Sequence, residues 1–498
     1  MKRPIVITAA ALLLVSLGFG AWYITSRPGA ERPDVPIVSE KAPPTEKAPP
    51  TEEAPPTEEA PPIEEVNVDA PASGKAKATQ IDIDADGMFT LIGPSGSVLV
   101  VDSISTDEYG KMMDVLYPGG YVTPDGMDNP GIENKEEVRA KFIAEHTKAY
   151  SYEDGKLQDV ALTPFEIEIS DYSSKAKNVP FYSTRIGSDS FVFPSEWTKP
   201  GSGFVTASEA GVYLAWSDTG IWRIDPETLK AKQITSDYYD GKHREEIEKS
   251  AREASANLDF RLSASWISTG GVFLSPDGKY AAFGTARDCW ETDGVTSVWT
   301  VNLQTGEERQ AIKPALWNEV IGFLSESYIM VGSLRDTRIA NVTSGMITAV
   351  AFPEMPHFTV RGVGGGTVIY ASYEDGVPGE TAYISRIDTV SGRLSAVTTI
   401  WGDIGTPVFA PSGMTVAIGY GANPSPDTGT DDVMLIDLSD GAQTLVSDLA
   451  EAQQRIDGDI WHFQWFGDDK MVLGKRNLET GNEAAYIVTL ADASGKDE

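Results

Sequence analysis

The amino-acid sequence predicts an all-β fold, a β-propeller of about seven four-stranded blades. Apolar hairpin units recur along most of the chain, and a second, outer hairpin follows most of them. The outer turns near Gln304, Ser344, Ser391 and Asp440 have numbers that differ by 40, 47 and 49. A period of about 40–50 residues with four strands per unit is typical of propeller blades. Seven inner units predict seven blades, and six or eight also fit this spacing.

The clearest inner unit is 271–285, GVFLSPDGKYAAFGT. Pro276 sets one backbone dihedral of the turn, and Asp277-Gly278 supplies a self-bonding side chain followed by a residue that tolerates positive φ. Two β-rich runs joined by such a turn predict a hairpin. Six looser copies occupy 81–93, 204–217, 320–333, 360–373, 407–421 and 463–476.

The last unit ends too late in the chain to add a full outer hairpin. An open blade edge would leave backbone N–H and C=O groups unpaired. We therefore expect an N-terminal strand near Ile81 to supply the missing edge and close the ring.

Two regions depart from the repeat. The interval 105–203 contains a predicted helix, 132–150, and strand-like segments at 165–170 and 190–194. It fits either a degenerate blade with a helical insertion or a small subdomain on one face. The segment 240–257 is charged and rich in alanine, which predicts a helical insertion between blades.

Three segments show a family resemblance: SPDGKYAAFGT (275–285), APSGMTVAIGYG (410–421) and FGDDKMVLGKR (466–476). They resemble the TolB-like, WD40-like (PD40-type) propeller repeats of bacterial envelope proteins. The resemblance covers roughly residues 78–493 as an architecture, and only the first segment has the full Ser-Pro-Asp-Gly turn. It implies protein–protein binding more often than catalysis, although a fold alone determines neither.

The N-terminus predicts a membrane segment. Lys2 and Arg3 precede an uncharged run, 4–26, which is long enough for a helix to cross a bilayer. Basic residues before the span and acidic sequence after it place the N-terminus inside and the body outside, extracellular or periplasmic. We interpret 1–26 as a signal-anchor transmembrane helix; a cleaved signal peptide is the competing interpretation. Both export the body.

Residues 27–77 predict a disordered stalk. Within it, 42–65 reads APPTEK, APPTEE, APPTEE, APPIEE. Paired prolines prevent helix and sheet formation, and the glutamates repel one another, so the segment is expected to be extended. At about 3 Å per residue, some 50 residues would reach on the order of 150 Å. The propeller domain is then 78–498.

Composition excludes one class of partner. The chain has 40 basic and 74 acidic residues, a formal net charge of −34, and no clustered lysines or arginines. Nucleic acid binding needs such clusters, so no nucleic acid partner is expected. The single cysteine, Cys289, rules out a disulfide within the chain, which is compatible with an oxidising compartment.

The sequence also lacks the usual catalytic patterns. There is no Gly-x-Ser-x-Gly nucleophile motif, and the four histidines, His146, His243, His357 and His462, are too scattered for a metal site. We therefore predict no catalytic residues, no organic cofactor and no enzyme. With so many acids, a carboxylate pair suited to glycoside hydrolysis is neither located nor excluded.

One local motif predicts a metal. Asp82, Asp84 and Asp86 are followed by Gly87, like the start of a calcium loop. The twelfth position is Gly93 rather than the bidentate glutamate of such loops. A solvent-facing strand ending in an Asp-Gly turn explains the same residues. The motif thus predicts a calcium candidate and no other cofactor.

Together these features predict a membrane-tethered, extracytoplasmic propeller that serves as a protein-binding or scaffolding module of the cell envelope. The partner is expected to be an envelope or surface protein. The alternative is a propeller glycoside hydrolase, lyase or carbohydrate-binding surface protein with an acidic central site. The many tryptophans suit stacking on a sugar as well as anchoring a protein partner.

Overall fold

A computed structural model describes most of the predicted propeller domain. The described residues are 77–81, 88–104, 106–120, 129, 131–153, 156–170, 176–195, 202–217, 220–235, 271–285, 295–316, 318–332, 336–355, 357–373, 379–421, 432–446, 459–476 and 483–490. They form thirty strands and two α-helices, α1 (Thr106–Leu116) and α2 (Lys135–His146).

The strands form eight antiparallel blades. Blade 1 contains β2 (Met88–Ile92), β3 (Val98–Asp102), β4 (Lys148–Glu153) and β5 (Lys156–Asp159), and blade 2 contains β6 (Thr163–Ser170), β7 (Ala176–Ile186) and β8 (Asp189–Pro194). Blade 3 contains β9 (Ser202–Ala207), β10 (Val212–Ser217), β11 (Gly220–Asp225) and β12 (Lys230–Gln233), and blade 4 contains β13 (Val272–Leu274), β14 (Tyr280–Thr285), β15 (Val295–Asn302) and β16 (Glu308–Leu316).

Blade 5 contains β17 (Glu319–Ser325), β18 (Tyr328–Gly332), β19 (Thr337–Asn341) and β20 (Ile347–Ala349), and blade 6 contains β21 (Phe358–Gly364), β22 (Thr367–Ser372), β23 (Glu380–Ile387) and the first half of β24 (Leu394–Phe409). Blade 7 contains the second half of β24, β25 (Thr415–Gly421), β26 (Asp432–Asp437) and β27 (Gln443–Leu445), and blade 8 contains β28 (Asp459–Trp465), β29 (Lys470–Arg476), β30 (Glu483–Thr489) and β1 (Lys77–Ile81).

Eight blades replace the seven expected from sequence. The additional one is blade 2, which lies inside the irregular interval 105–203 and has three described strands. Its order is reversed relative to its neighbours. Its last strand, β8, lies beside the first strand of blade 1, with the rings of Phe89 and Phe193 5.6 Å apart, while its first strand, β6, contacts the outer strand β12 of blade 3. The interval 105–203 therefore contains a degenerate blade, blade 2, while its helices belong to blade 1.

The blades pack on one another in a closed ring. Eight buried apolar clusters each join one blade to the next, and the last joins blade 8 back to blade 1. Representative pairs, from the blade 1–2 contact onward, are Leu99 and Phe191, Phe181 and Tyr213, Leu214 and Phe283, Val298 and Ile329, Met330 and Val368, Ile369 and Val416, Leu435 and Leu473, and Val472 and Val100. Since alternate side chains of a strand point to opposite sides, each blade contributes apolar side chains to two of these clusters.

The N-terminal strand completes the ring, as the sequence predicts. β1 pairs with β30 over its full length, from Lys77 opposite Thr489 to Ile81 opposite Ala485. It is the outermost strand of blade 8, and Ile81 packs against the cluster that joins blades 8 and 1. The first and last segments of the described chain thus stabilise the same blade.

The antiparallel order gives the ring two different faces. The turns from first to second and from third to fourth strand lie on one face, here called the turn face, and most contain two to six residues. The connections from second to third strand and from one blade to the next lie on the other, here called the loop face. The longest of these are 103–147, which holds α1 and α2, and 234–271. Loops placed on a rigid scaffold are where function most often resides.

The turn face has a repeated capping device. In blades 3 to 7 the third strand ends at, or one residue before, an Asp or Asn whose Oδ1 accepts hydrogen bonds of 2.6–3.2 Å from backbone N–H groups two or three residues later. These residues are Asp225, Asn302, Asn341, Asp388 and Asp437. Such side chains replace backbone partners in a turn, which explains the regular spacing of the outer turns in the sequence.

The irregular interval also contains a small helical unit. α1 and α2 pack through Met112, Leu116 and Ile143, between β3 and β4 of blade 1. The predicted helix 132–150 is thus shorter, ending at His146, and Lys148 already begins a strand. The predicted helical insertion 240–257 lies outside the described residues.

Candidate functional site

The site begins where the chain crosses from blade 6 to blade 7. β24 makes this crossing as one continuous strand: Gly402 pairs with Glu380 of blade 6, and the next residue, Asp403, pairs with Gly421 of blade 7. Every other pair of neighbouring blades is joined by a separate connecting segment. Because no loop separates the two blades, Glu380, the first residue of β23, and Asp403, the first residue of the blade 7 inner strand, come together on the loop face.

A β-bulge places a charged residue beside this crossing. The inner strands of blades 5, 6, 7 and 8 each shift register, between Val320 and Gly322, Val360 and Gly362, Ile404 and Pro407, and Ile460 and His462. Bulges redirect side chains and occur often next to functional sites. In blade 6 the residue at the bulge is Arg361.

Arg361 forms an ion pair with Glu380. Its Nη2 donates a hydrogen bond to Glu380 Oε2, and the side chain of Glu380 is only 11% exposed, against 33% for Arg361. Burial raises the pKa of Glu380 and the charge of Asp403 raises it further, while Arg361 lowers it; the net direction is upward. The buried Nε of Arg361 has no hydrogen-bond partner among the described residues. Glu380 therefore has one cation, Arg361, as its hydrogen-bonded partner and one carboxylate, Asp403, close enough to raise its pKa.

An aromatic surface adjoins this cluster. Trp401 is 51% exposed and lies opposite Thr381, the residue after Glu380. Its carbonyl oxygen accepts a hydrogen bond of 3.3 Å from Tyr420 Oη. Tryptophan and arginine are both common among the residues that dominate binding energy. We call Arg361, Glu380, Trp401 and Asp403 the crossover site.

His357 lies on the same side of blade 6. Its ring stacks on Tyr373 with centroids 5.2 Å apart, and its backbone φ is +48°. Positive φ is uncommon outside glycine, and such residues cluster where surrounding structure fixes them, often near functional sites. The loop face of blade 6 is therefore lined with aromatic rings.

Removal of Arg361 should destabilise the protein. Arg361→Met leaves Glu380 buried beside Asp403, and we expect a loss of about 2 kcal/mol at pH 7, reduced from the fully buried case by the partial exposure of Arg361, or roughly 2–3 °C in Tm. The double variant Arg361→Met/Glu380→Gln should recover part of this loss. Thermal unfolding of both variants tests the pair; equal Tm values for Arg361→Met and the wild type would show that it contributes nothing.

Glu319 should make the stability of the protein depend on pH. It begins β17 on the loop face, burial raises its pKa, and it has no ion pair with any other described residue. A folded-state pKa above the unfolded value means that stability increases as the pH falls through the folded value and is lost as the pH rises. Glu319→Gln should therefore raise Tm at pH 7.5 and leave it unchanged near pH 4. Glu153→Gln, an exposed control, should change Tm at neither pH. A lower Tm for Glu319→Gln at pH 7.5 would contradict this assignment.

The sequence-predicted site residues are not part of the crossover site. Asp82, Asp84 and Asp86 lie outside the described residues, in the connection from β1 to β2, so the calcium site stays a prediction. Calorimetry with millimolar Ca²⁺ tests it: binding heat that Asp84→Ala abolishes would support it, and no heat would refute it. In the part of the chain that is described, no group of three or more His, Cys, Asp or Glu residues could hold a metal ion.

The three described histidines lie in different parts of the fold. His146 stacks on Phe142 at the end of α2, and His357 stacks on Tyr373 in blade 6. His462 lies on β28 of blade 8, while His243 and Cys289 are outside the described residues. No described helix is long and apolar enough to cross a membrane, and the predicted span 1–26 is not among the described residues.

Similarity to known proteins is found among solved structures only. No family model and no curated protein matches the chain. Similar solved structures include the oligogalacturonate lyase of Vibrio parahaemolyticus (11% identity, 66% of this chain and 97% of that chain, TM-score 0.39), a putative TolB of Agrobacterium tumefaciens (16%, 68%, 100%, 0.32) and TolB of Acinetobacter baumannii (12%, 57%, 83%, 0.28). The TolB structures agree with the predicted resemblance. At these TM-scores the fold assignment depends on the sheet order and ring packing of this chain.

Proposed function

We propose that this chain is an exported, membrane-tethered β-propeller that binds another protein of the cell envelope through its loop face. The observation that supports this most is the crossover site, which has an exposed tryptophan, Trp401, near the blade crossing and the partly buried ion pair of Arg361 and Glu380. Tryptophan and arginine are enriched among residues that dominate binding energy.

The point where the chain enters the propeller supports the same orientation. β1 begins at Lys77, opposite Thr489, and the next residue, Leu490, donates its backbone N–H to Asp469 O in a turn of the turn face. The preceding stalk, 27–77, therefore joins the body on the turn face. The loop face is on the opposite side of the ring from this attachment, where a partner approaching from outside would meet it.

The experiment is affinity purification with matched variants. The full-length chain is purified from membranes with Trp401→Ala, and with Val390→Ala as control, since Val390 is an exposed apolar residue of the turn face. A partner of the loop face should co-purify with the wild type and Val390→Ala and be at least tenfold depleted with Trp401→Ala. Equal recovery with both variants would refute loop-face binding.

A second function is supported by Glu380. A carboxyl whose pKa is raised by burial, beside a second carboxylate, is suited to general acid catalysis. The alternative proposal is therefore a propeller glycosidase or lyase acting on a carbohydrate. A panel of neutral and acidic oligosaccharides tests it: turnover that Glu380→Gln abolishes would support an enzyme, and the absence of turnover would leave binding as the proposed function.

A further inference from the structure

Blade 2 differs from its neighbours in having one strand fewer. Among the described residues it contains β6, β7 and β8, whereas every other blade has four strands. β6 pairs with β7 over its whole length, from Thr163 opposite Ser183 to Ser170 opposite Ala176. No described strand pairs with its other edge. Among the described residues, blade 2 is thus one strand short of its neighbours.

The edge of β6 is long. It contains eight residues, against nine in β16, the outermost strand of blade 4, and three to five in the outermost strands of blades 1, 3, 5, 7 and 8. Eight residues of strand extend about 26 Å and offer several outward backbone N–H and C=O groups. A strand of similar length on another polypeptide has the geometry to pair with them.

The side chains of β6 indicate the chemistry of that strand. Ile167 and Ile169 are 2% and 4% exposed and pack against blade 3, while Glu166 and Glu168 are exposed on the other face. Neither glutamate forms an ion pair with another described residue. On one face of a sheet, directly opposite side chains lie about 5 Å apart, and opposite charges there are favourable.

Charge also excludes other occupants. A second copy of β6 would place glutamates opposite glutamates, which is unfavourable. The chain's own stalk, with its paired prolines and glutamates at 42–65, can neither form a ladder nor match the charge. The C-terminal segment 491–498 has three acids and one lysine.

We propose that the edge of β6 accepts an extended strand of a partner polypeptide that has Lys or Arg at alternate positions. The added strand completes blade 2 through backbone hydrogen bonds and sets its basic side chains beside Glu166 and Glu168. Here β6 contacts both the second strand, β10, and the outermost strand, β12, of blade 3. The edge of β6 is separate from the loop face and does not depend on the function proposed there.

The test uses a ten-residue peptide of alternating lysine and threonine, and a second peptide with glutamate in place of lysine. Binding to the full-length chain is measured by fluorescence anisotropy, and hydrogen exchange locates the contact. The lysine peptide should bind and slow exchange at 163–170, while the glutamate peptide should not bind. Absence of lysine-peptide binding, or slowed exchange elsewhere only, would overturn the proposal.

Charge reversal gives the matched control. Glu166→Lys/Glu168→Lys should weaken lysine-peptide binding roughly tenfold or more and permit glutamate-peptide binding. Glu153→Lys/Glu307→Lys changes the net charge equally at exposed residues of blades 1 and 4 and should change affinity less than twofold. An equal loss with both pairs would show that only general electrostatic attraction binds the peptide, and would also overturn the proposal.

Discussion

Replacement of β1, residues 77–81, by Gly-Ser-Gly-Ser-Gly should open the propeller ring and destabilise the protein by on the order of 5 kcal/mol. The estimate assumes about 1 kcal/mol for each of several lost ladder hydrogen bonds, plus the packing of Ile81. For a ring of this size the change corresponds to a fall of roughly 6 °C in Tm. Differential scanning calorimetry measures it.

The same replacement at residues 66–70 is the control, because it alters an equal length of chain within the predicted stalk. It should leave Tm unchanged. The β1 variant should also expose the edge of β30 and form larger species in size-exclusion chromatography, since an unpaired edge is a template for association. If the β1 variant melts with the wild type and remains the same size, β1 does not hold the ring closed.

Gly392→Ala should destabilise the protein by at least 3 kcal/mol, and Gly306→Ala by only about 1 kcal/mol. Both glycines lie in outer turns with nearly the same backbone dihedral, φ +71° and +74°. An alanine pays about 1 kcal/mol or slightly more in that conformation. At Gly392 the added Cβ would also lie 1.9 Å from the carbonyl oxygen of Ala349 in blade 5, whereas at Gly306 the nearest atom, Ile234 O, is 3.6 Å away.

The difference in stability between the Gly392→Ala and Gly306→Ala variants separates the cost of the clash between blades from the cost of backbone strain. Because the outer turn of blade 6 rests against the outer strand of blade 5, the clash at Gly392 can be relieved only by separating the two blades. Thermal unfolding of both variants measures the difference. Similar Tm values for the two would mean that the blades move apart at little cost.

The sequence was most informative about turns, because the conformation of a turn depends on its own side chains. The turn at 275–280 is determined by its own side chains: Ser275 Oγ accepts from the N–H of Lys279 and Tyr280, and Asp277 Oδ1 accepts from Lys279 N. Such turns are visible as motifs wherever they occur. They predicted the blade period and six of the seven inner hairpins; the seventh, 81–93, was wrong, because β1 pairs with β30 and β2 pairs with β3. The closing strand β1 was expected instead from the missing outer hairpin of the last unit.

Blade 2 was missed for a physical reason. The β6–β7 connection, 171–175, has Asp171 but no Gly, blade 2 has three described strands instead of four, and its strand order is the reverse of its neighbours. Its place in the ring is determined by packing, with Phe181 against blade 3 and Phe193 against blade 1. Packing of this kind leaves no periodic signal, so the count of seven blades was one too few.

The crossover site could not be predicted from sequence either. Its residues come from β21, β23 and β24, and no two of them except Trp401 and Asp403 are close in the chain. The one available signal was the missing connection between the hairpins at 383–397 and 407–421, which places two blades on a single strand. The calcium candidate at Asp82, Asp84 and Asp86 stays a prediction.

By itself the sequence determined the all-β class, the repeated hairpin and the strand that closes the ring, because turn dihedrals and strand alternation depend on neighbouring residues. Only the tertiary structure decided the number of blades, the reversed strand order of blade 2 and the proximity of Arg361, Glu380 and Asp403. Those features depend on which strands meet across the ring, and burial of apolar faces between distant segments, not local preference, selects that arrangement.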